Sequence, residues 1–488
     1  MKRLLCVFVW LGVLGCALDP VSGTPKLVFV SEQQEVEAGD QAAAELEALL
    51  GIVRDPGLDA YIGAVGQRLA AQAPSRSYSY RFRVIDDEVP NAFALPGGHV
   101  YVSRGLLTIT NDEAELANVM AHEIAHVALR HQARRQARAV GMGILTLPGL
   151  LVGGLIPGRL GEIVSAPFAV AGMGAMASYS RDQEREADRV GQQLAADAGY
   201  DPAAMARFLV TMGRDSELAG KEQRELGFFA AHPATPSRIV DAIRASEKIE
   251  WTFRAGLTSS RLEFLFEFEG MLVGQNPADG IFRGQRFLHP DMRFTVAFPE
   301  QWKTFNSRRS VRALNEQGTA QLMLTRAPRG DDPREAATAF IQAAQQQVNL
   351  VVARIEARRI NGLSALRAQA IADTQRGRLP LDLTWVELDG SIYLISGLVS
   401  DEYTDDDRAL FDSVADSFRA LTSKERESIR KTEIAVRLAE AGESLERFCS
   451  RTGNAWDVTR TAVANALESD ATLTAGDVLK IAIERDYP

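Results

Sequence analysis

The run His122-Glu123-Ile124-Ala125-His126 constrains this chain more than any other segment. Residues four apart share one face of an α-helix, so both imidazoles can reach one cation while Glu123, one step round, reaches a water beside it. Leu116, Val119, Met120 and Val127 recur at helical spacing around the motif. Thr110 with Glu113 reads as a capping box that starts this helix. The apolar neighbours Met120, Ile124 and Val127 bury it, which argues against two idle surface histidines.

Two histidines do not complete a catalytic zinc site, which needs a third protein ligand and an open position. The candidate lies in Tyr179-Ser180-Arg181-Asp182-Gln183-Glu184-Arg185-Glu186-Ala187-Asp188. Glu184 and Asp188 stand four apart on a helix, so one carboxylate can bind metal while the other supports it from behind. Standing alone, this segment would be a solvated acidic face; beside the two histidines it is a source of ligands. Arg181, Arg185 and Arg189 stripe a neighbouring face, where they can pair with these acids.

HExxH followed by ExxAD, Glu184 to Asp188, resembles the gluzincin zinc metallopeptidases of the HtpX/BepA-like family, which also holds the CAAX-prenyl endopeptidases. The similarity runs from about Leu27 to Ser246. It includes Asn91-Ala92-Phe93-Ala94-Leu95-Pro96-Gly97-Gly98 and Ser103-Arg104-Gly105-Leu106-Leu107. The resemblance implies one zinc ion per chain, held by His122, His126 and Glu184, with Glu123 as general base and Asp188 as supporting acid. It also implies that the strand of Gly97, Gly98, His99 and Val100 is a sheet edge that pairs with an extended substrate. In BepA-like members the histidine matching His232 can take zinc's fourth position and hold the protease off, and the arginine matching Arg238 lies near the substrate oxyanion. The plainer reading is that His232 and Arg238 cap and pair helices. Of the remaining histidines, His131 reads as part of a solvated or headgroup-facing basic face with Arg130, Arg134 and Arg135. His99 falls in the edge strand, and His289 opens a strand far from the motif in sequence.

The opening MKRLLCVFVWLGVLGC reads as an export leader, residues 1–16, with Lys2 and Arg3 before an apolar run from Leu4 to Leu14. That run is too short for a permanent membrane helix, which needs about 20 residues. Val13-Leu14-Gly15-Cys16 is similar to a lipobox whose leucine stands one place late, so Cys16 is expected to carry lipid. Ala17, rather than Asp, then points to the outer membrane by resemblance to enterobacterial lipoproteins. Cys449 would be the remaining thiol of the mature chain, and no internal disulfide could form. With 54 Lys and Arg against 64 Asp and Glu, the net charge of −10 disfavours nucleic acid as a partner.

The chain of 488 residues reads as multidomain. A mainly α zincin-type metallopeptidase domain with a small β-sheet covers residues 17–253, and a connector covers 254–286. An α+β domain follows over 287–422, where Asp389-Gly390 signals a hairpin between Thr384–Leu388 and Ser391–Ile395. Ser423 to Arg430 is a charged linker, and residues 431–485 resemble a LysM module of βααβ order. That resemblance rests on Gly442-Glu443-Ser444-Leu445, Asn465, Leu473, Gly476, Leu479 and Ile481. Residues 139–177 are apolar and Gly-rich but broken by Pro148, Pro157 and Pro167, which favours buried pieces over a membrane span.

The implied function is a zinc endopeptidase of the periplasmic cell envelope, anchored by lipid to the outer membrane and acting on misfolded or stalled envelope proteins. Two alternatives stand beside it. One is a peptidoglycan-associated chaperone or scaffold whose protease is silenced by His232. The other is a murein peptidase that uses the same zinc and is targeted by its tail.

Overall fold

The computed structural model describes residues 16–18, 25–27, 30–135, 179–219, 232–258, 260–327, 330–374, 377–400 and 403–488. The leader up to residue 15 and the apolar segment 139–177 lie outside them. Cys16 begins a three-residue strand that pairs antiparallel with Pro25–Leu27. Among the described residues no helix is long and apolar enough to cross a membrane.

The first region is helical around one small sheet. Helices Glu32–Leu50 and Pro56–Ala70 come first, the second capped by Asp55, whose side chain accepts from the Gly57 and Leu58 N–H groups. This fits the punctuation that Asp55-Pro56-Gly57 supplies. The histidine-bearing helix runs Glu113–Ala128, and almost all of it is buried. Its start differs from the expected capping box. Asp112 is the cap, accepting from Glu115 N–H, while the Glu115 carboxylate accepts from Asn111 N–H. Thr110 instead ends a preceding helix, Arg104–Ile109, which the sequence reading did not separate.

In the sheet, Arg81–Ile85 pairs parallel with His99–Ser103, which pairs antiparallel with Ala92–Leu95. The strand holding His99 and Val100 is therefore the centre of the sheet, with Gly97 and Gly98 in the turn that leads into it. This corrects the expectation that it forms the substrate-pairing edge, since a strand bonded on both sides has no free backbone groups to offer. The edge beside the histidine helix is Ala92–Leu95. The main chain of Ala94 faces outward there, and its carbonyl accepts from Gln132 Nε2 at 2.7 Å.

The helix Arg181–Asp197 crosses the histidine helix at Gly191, where an added Cβ would lie 2.9 Å from the backbone of His122. Helices Ala204–Leu218 and Pro236–Ser246 close the layer. One continuous core joins Val65, Phe82, Leu116, Met120, Leu194 and Phe208.

The segment read as a connector is structured. Helix Arg261–Phe266 sends Phe264 and Leu265 into the protease core, and Leu272–Val273 adds a strand to the tail. Ile281–Arg283 already pairs with Arg286–His289, so a four-stranded sheet begins there, ahead of Phe287, and His289 closes its strand rather than opening it. A seven-stranded antiparallel sheet follows, with helix Pro333–Gln345 packed on one face and Asp405–Ser417 on the other. Trp385 and Val386, adjacent in one strand, enter these two different cores, as period-two alternation requires. Asp389 and Gly390 adopt φ of 51° and 70°, the left-handed pair of a tight hairpin.

The C-terminal region runs strand, helix, helix, strand: Arg430–Leu438, Leu445–Thr452, Val458–Ala464 and Val478–Asp486. Its two strands pair antiparallel, and Cys449 is buried in its core as a free thiol. The charged stretch before it holds a short helix, Ser423–Glu427, capped by Thr422.

Candidate metal centre

The helical spacing of His122 and His126 places both Nε2 atoms in one spot, 2.9 Å apart. The crossing at Gly191 brings the acidic helix close enough for Glu184 to join them. Its carboxylate oxygens lie 3.6 Å from His122 Nε2 and 3.5 Å from His126 Nε2. His232 enters from the loop before Pro236–Ser246, with Nδ1 at 2.9 Å from Glu184 Oε1 and 3.2 Å from His122 Nε2. All four side chains are buried, and their donor atoms fall within 4.8 Å of one another.

These separations suit zinc. Tetrahedral zinc with bonds of about 2.1 Å sets its donors about 3.4 Å apart, and a two-nitrogen, one-carboxylate set is a hydrolytic type. The four donors therefore form a group that could hold a metal ion, and its chemistry suits zinc.

Glu123 lies one helical step round. Its Oε1 is buried without a hydrogen-bond partner among the described residues, and His232 Nε2 stands 3.6 Å from it. Burial pushes the Glu123 carboxyl up from its ordinary value. Burial, with His122 and His232 beside it, pushes the His126 imidazole well down, leaving it neutral as a ligand must be.

Asp188 stands behind His122, with Oδ1 3.0 Å from Nδ1. Arg238 grips the same carboxylate through two bonds, Nε at 2.8 Å and NH2 at 2.7 Å. Burial disfavours charge on Asp188, yet the hydrogen bonds from His122 and Arg238 outweigh it and hold its carboxyl well below the usual range. Arg238 also places NH1 3.0 Å from Glu184 Oε2 and donates to the Pro233 carbonyl. Its contacts are thus with the two acids of the site and the Pro233 carbonyl.

One histidine was misplaced by sequence reasoning. His131 is fully buried, with Nδ1 2.9 Å from His126 Nδ1 and Nε2 3.2 Å from Glu186 Oε2. The expected solvated basic face is wrong because the helix breaks before it. Arg130 adopts φ of +52°, tied down by Glu35 and the Val30 carbonyl, and the chain turns His131 back toward the site. Burial drives its imidazole down to about 4. Tyr179, at the start of the acidic segment, stacks on His126 with ring centroids 3.8 Å apart. His99 is not part of the ligand group; its Nε2 lies 2.8 Å from Asp40 Oδ1. A small pocket of about 20 Å³ joins His126 and Tyr179 to the edge residues Ala94–Gly97.

Residues 56–246 match peptidase family M48. The chain is 33% identical over 255 residues to the beta-barrel assembly-enhancing protease of Yersinia pestis, covering 51% of this chain and 50% of that one. It is 34% identical over 228 residues to the Escherichia coli K12 protein of that name, covering 46% of each. The mitochondrial metalloendopeptidase OMA1 of Schizosaccharomyces pombe is 33% identical over 181 residues, 37% of this chain and 50% of that one. The chain thus spans about half the length of the curated relatives it matches. Residues 56–246 form a zinc metallopeptidase domain of family M48.

Proposed function

We propose that this chain is a zinc-dependent endopeptidase of the bacterial cell envelope that cleaves misfolded or stalled envelope proteins. The observation that carries the reading is the convergence of His122, His126 and Glu184 on one point beside the buried Glu123 carboxylate, whose Oε1 makes no hydrogen bond among the described residues. Zinc bound there supplies a Lewis acid that activates water and polarises the scissile carbonyl. Glu123 Oε1 takes a proton from the attacking water and delivers it to the nitrogen of the departing amine, a role its burial suits. Asp188 orients His122, and Arg238 orients both acids, which makes Arg238 a positioning residue rather than the oxyanion partner the resemblance implied. An extended substrate is read as pairing with Ala92–Leu95, where it would displace the Gln132 amide that now donates to the Ala94 carbonyl.

The envelope setting is supported by the leader sequence ending at Cys16, with Cys16 as the lipid anchor, and by the names of the enterobacterial relatives. The strand–helix–helix–strand order of the tail is compatible with a LysM-like module that holds the enzyme near peptidoglycan. The decisive experiment pairs zinc content with cleavage of unfolded casein. Glu123→Gln should keep zinc and lose cleavage; a variant that still cleaves would sink the assignment.

The position of His232 favours a second reading of the resting state. Its Nδ1 completes the donor set beside Glu184 and His122, which supports a protease silenced until His232 withdraws. His232→Ala should raise casein cleavage several-fold, and equal rates in variant and parent would leave the chain constitutively active.

A further inference from the structure

We propose that His131 is a positioning residue of the metal centre, fixing the imidazole of His126 against the carboxylate of Glu186. The inference rests on the zinc-peptidase reading and deepens it. Its basis is a chain of contacts: His126 Nε2 faces the metal donors, His126 Nδ1 meets His131 Nδ1 at 2.9 Å, and His131 Nε2 meets Glu186 Oε2 at 3.2 Å. When Nε2 of His126 binds metal, its proton must sit on Nδ1. That N–H donates to His131 Nδ1, which obliges His131 to carry its own proton on Nε2 and donate to Glu186. Each nitrogen in the chain then has one role, and the chain has one direction.

The two zinc-binding histidines are therefore oriented differently. His122 has a carboxylate, Asp188, directly behind it at 3.0 Å. His126 has an imidazole between itself and its carboxylate. Glu186 is in turn held by Arg134 NH1 at 3.0 Å. The main chain of His131 adds a second tie, its carbonyl accepting from Gln183 Nε2 at 3.1 Å. Gln183 and Glu186 lie on either side of Glu184 in the same helix. His131 thus clamps the helix that supplies the carboxylate ligand to the helix that supplies the histidines. The left-handed backbone at Arg130 makes this possible, since an uninterrupted helix would carry residue 131 about 140° round from residue 126.

The test uses the full-length chain, with zinc affinity measured by chelator competition and cobalt(II) substituted as a spectroscopic probe. Partners behind a metal-bound histidine are worth about 10–100-fold in affinity. His131→Phe, which keeps a ring but no nitrogen, should weaken zinc binding by about that factor and shift the visible bands of the bound cobalt. His131→Gln should recover part of the loss, because its amide oxygen can accept from His126 and its amide nitrogen can donate to Glu186. Should the Phe variant fail to fold, Glu186→Gln decides: a shifted cobalt spectrum supports the relay, and parental affinity and spectrum overturn it. Parental values in a folded His131→Phe variant overturn it equally. A parent chain that binds no zinc would overturn the metal-site reading itself, a separate outcome.

Discussion

Lys480, in the last strand, donates from Nζ to the main-chain carbonyl of Thr110, three residues before the histidine-bearing helix begins. The contact is one of several that lock the tail to that helix end. Arg261 donates to the Asn111 carbonyl and to the side chains of Asn111 and Asn465, and Asn465 exchanges bonds with the Lys480 backbone. Arg460 pairs with Asp215 alongside. The C-terminal region is therefore part of the scaffold that holds the metal helix.

Lys480 is fully buried, and burial together with the nearby Arg261 charge drives its amine well below its ordinary value. In the window between that depressed value and about 10.4 the unfolded chain binds more protons than the folded one. Stability gained from the neutral amine is therefore complete above the window and is lost as pH falls through it. Thermal unfolding at pH 7 and 9.5 should show the parent gaining on Lys480→Met as pH rises. Parallel curves would mean that the amine stays charged in the fold.

Glu115 gives the opposite slope at lower pH. Burial, with Asp112 beside it, pushes its carboxyl up to about 7 from 4.5. The folded state then binds more protons across that interval, so stability is full below about pH 4.5 and falls as pH rises through 7. At one pKa unit per 1.36 kcal/mol, the cost by pH 8 is about 3 kcal/mol. Glu115→Gln keeps an oxygen to accept from Asn111 N–H and should flatten this dependence. Urea unfolding at pH 5 and 8 measures it.

Gly191→Ala tests the helix crossing on which the ligand set depends. The new methyl would meet His122 backbone atoms at 2.9 Å, with no flexible side-chain end to give way. Overpacking of this kind costs about 1–3 kcal/mol. Because the crossing also sets the distance from Glu184 to both histidines, zinc affinity should fall with stability. A drop in stability alone would show that the site tolerates the displacement.

Much of the centre was legible because its information is local. Four-residue spacing on a helix determines that His122 and His126 converge, and the same rule pairs Glu184 with Asp188. What escaped depends on non-local pairing or on one backbone angle. The Gly97-Gly98 turn predicts a hairpin, but which strand lies central is decided by the parallel partner Arg81–Ile85. Likewise Arg130, Arg134 and Arg135 look like a basic face until the left-handed turn at Arg130 is known, and arginine carries no local signal for that conformation. The connector was misread for a related reason: Phe264 and Leu265 announce burial, but only the fold says against what.

Arg238 offers the sharpest division between a positioning and a reacting role. It is 5% exposed and satisfies Asp188 with two hydrogen bonds while reaching Glu184. Removing one partner of a buried charge pair costs about 3–5 kcal/mol, because the other is left uncompensated. Zinc brings two positive charges to the same acids and replaces part of what the guanidinium supplied. Arg238→Met should therefore destabilise the metal-stripped protein more than the zinc-loaded one, widening the gap between their melting temperatures. Zinc affinity should change alongside. If melting temperatures and zinc content stayed at parental values while kcat alone fell, Arg238 would act on the substrate instead, and its two bonds to Asp188 would be incidental to catalysis.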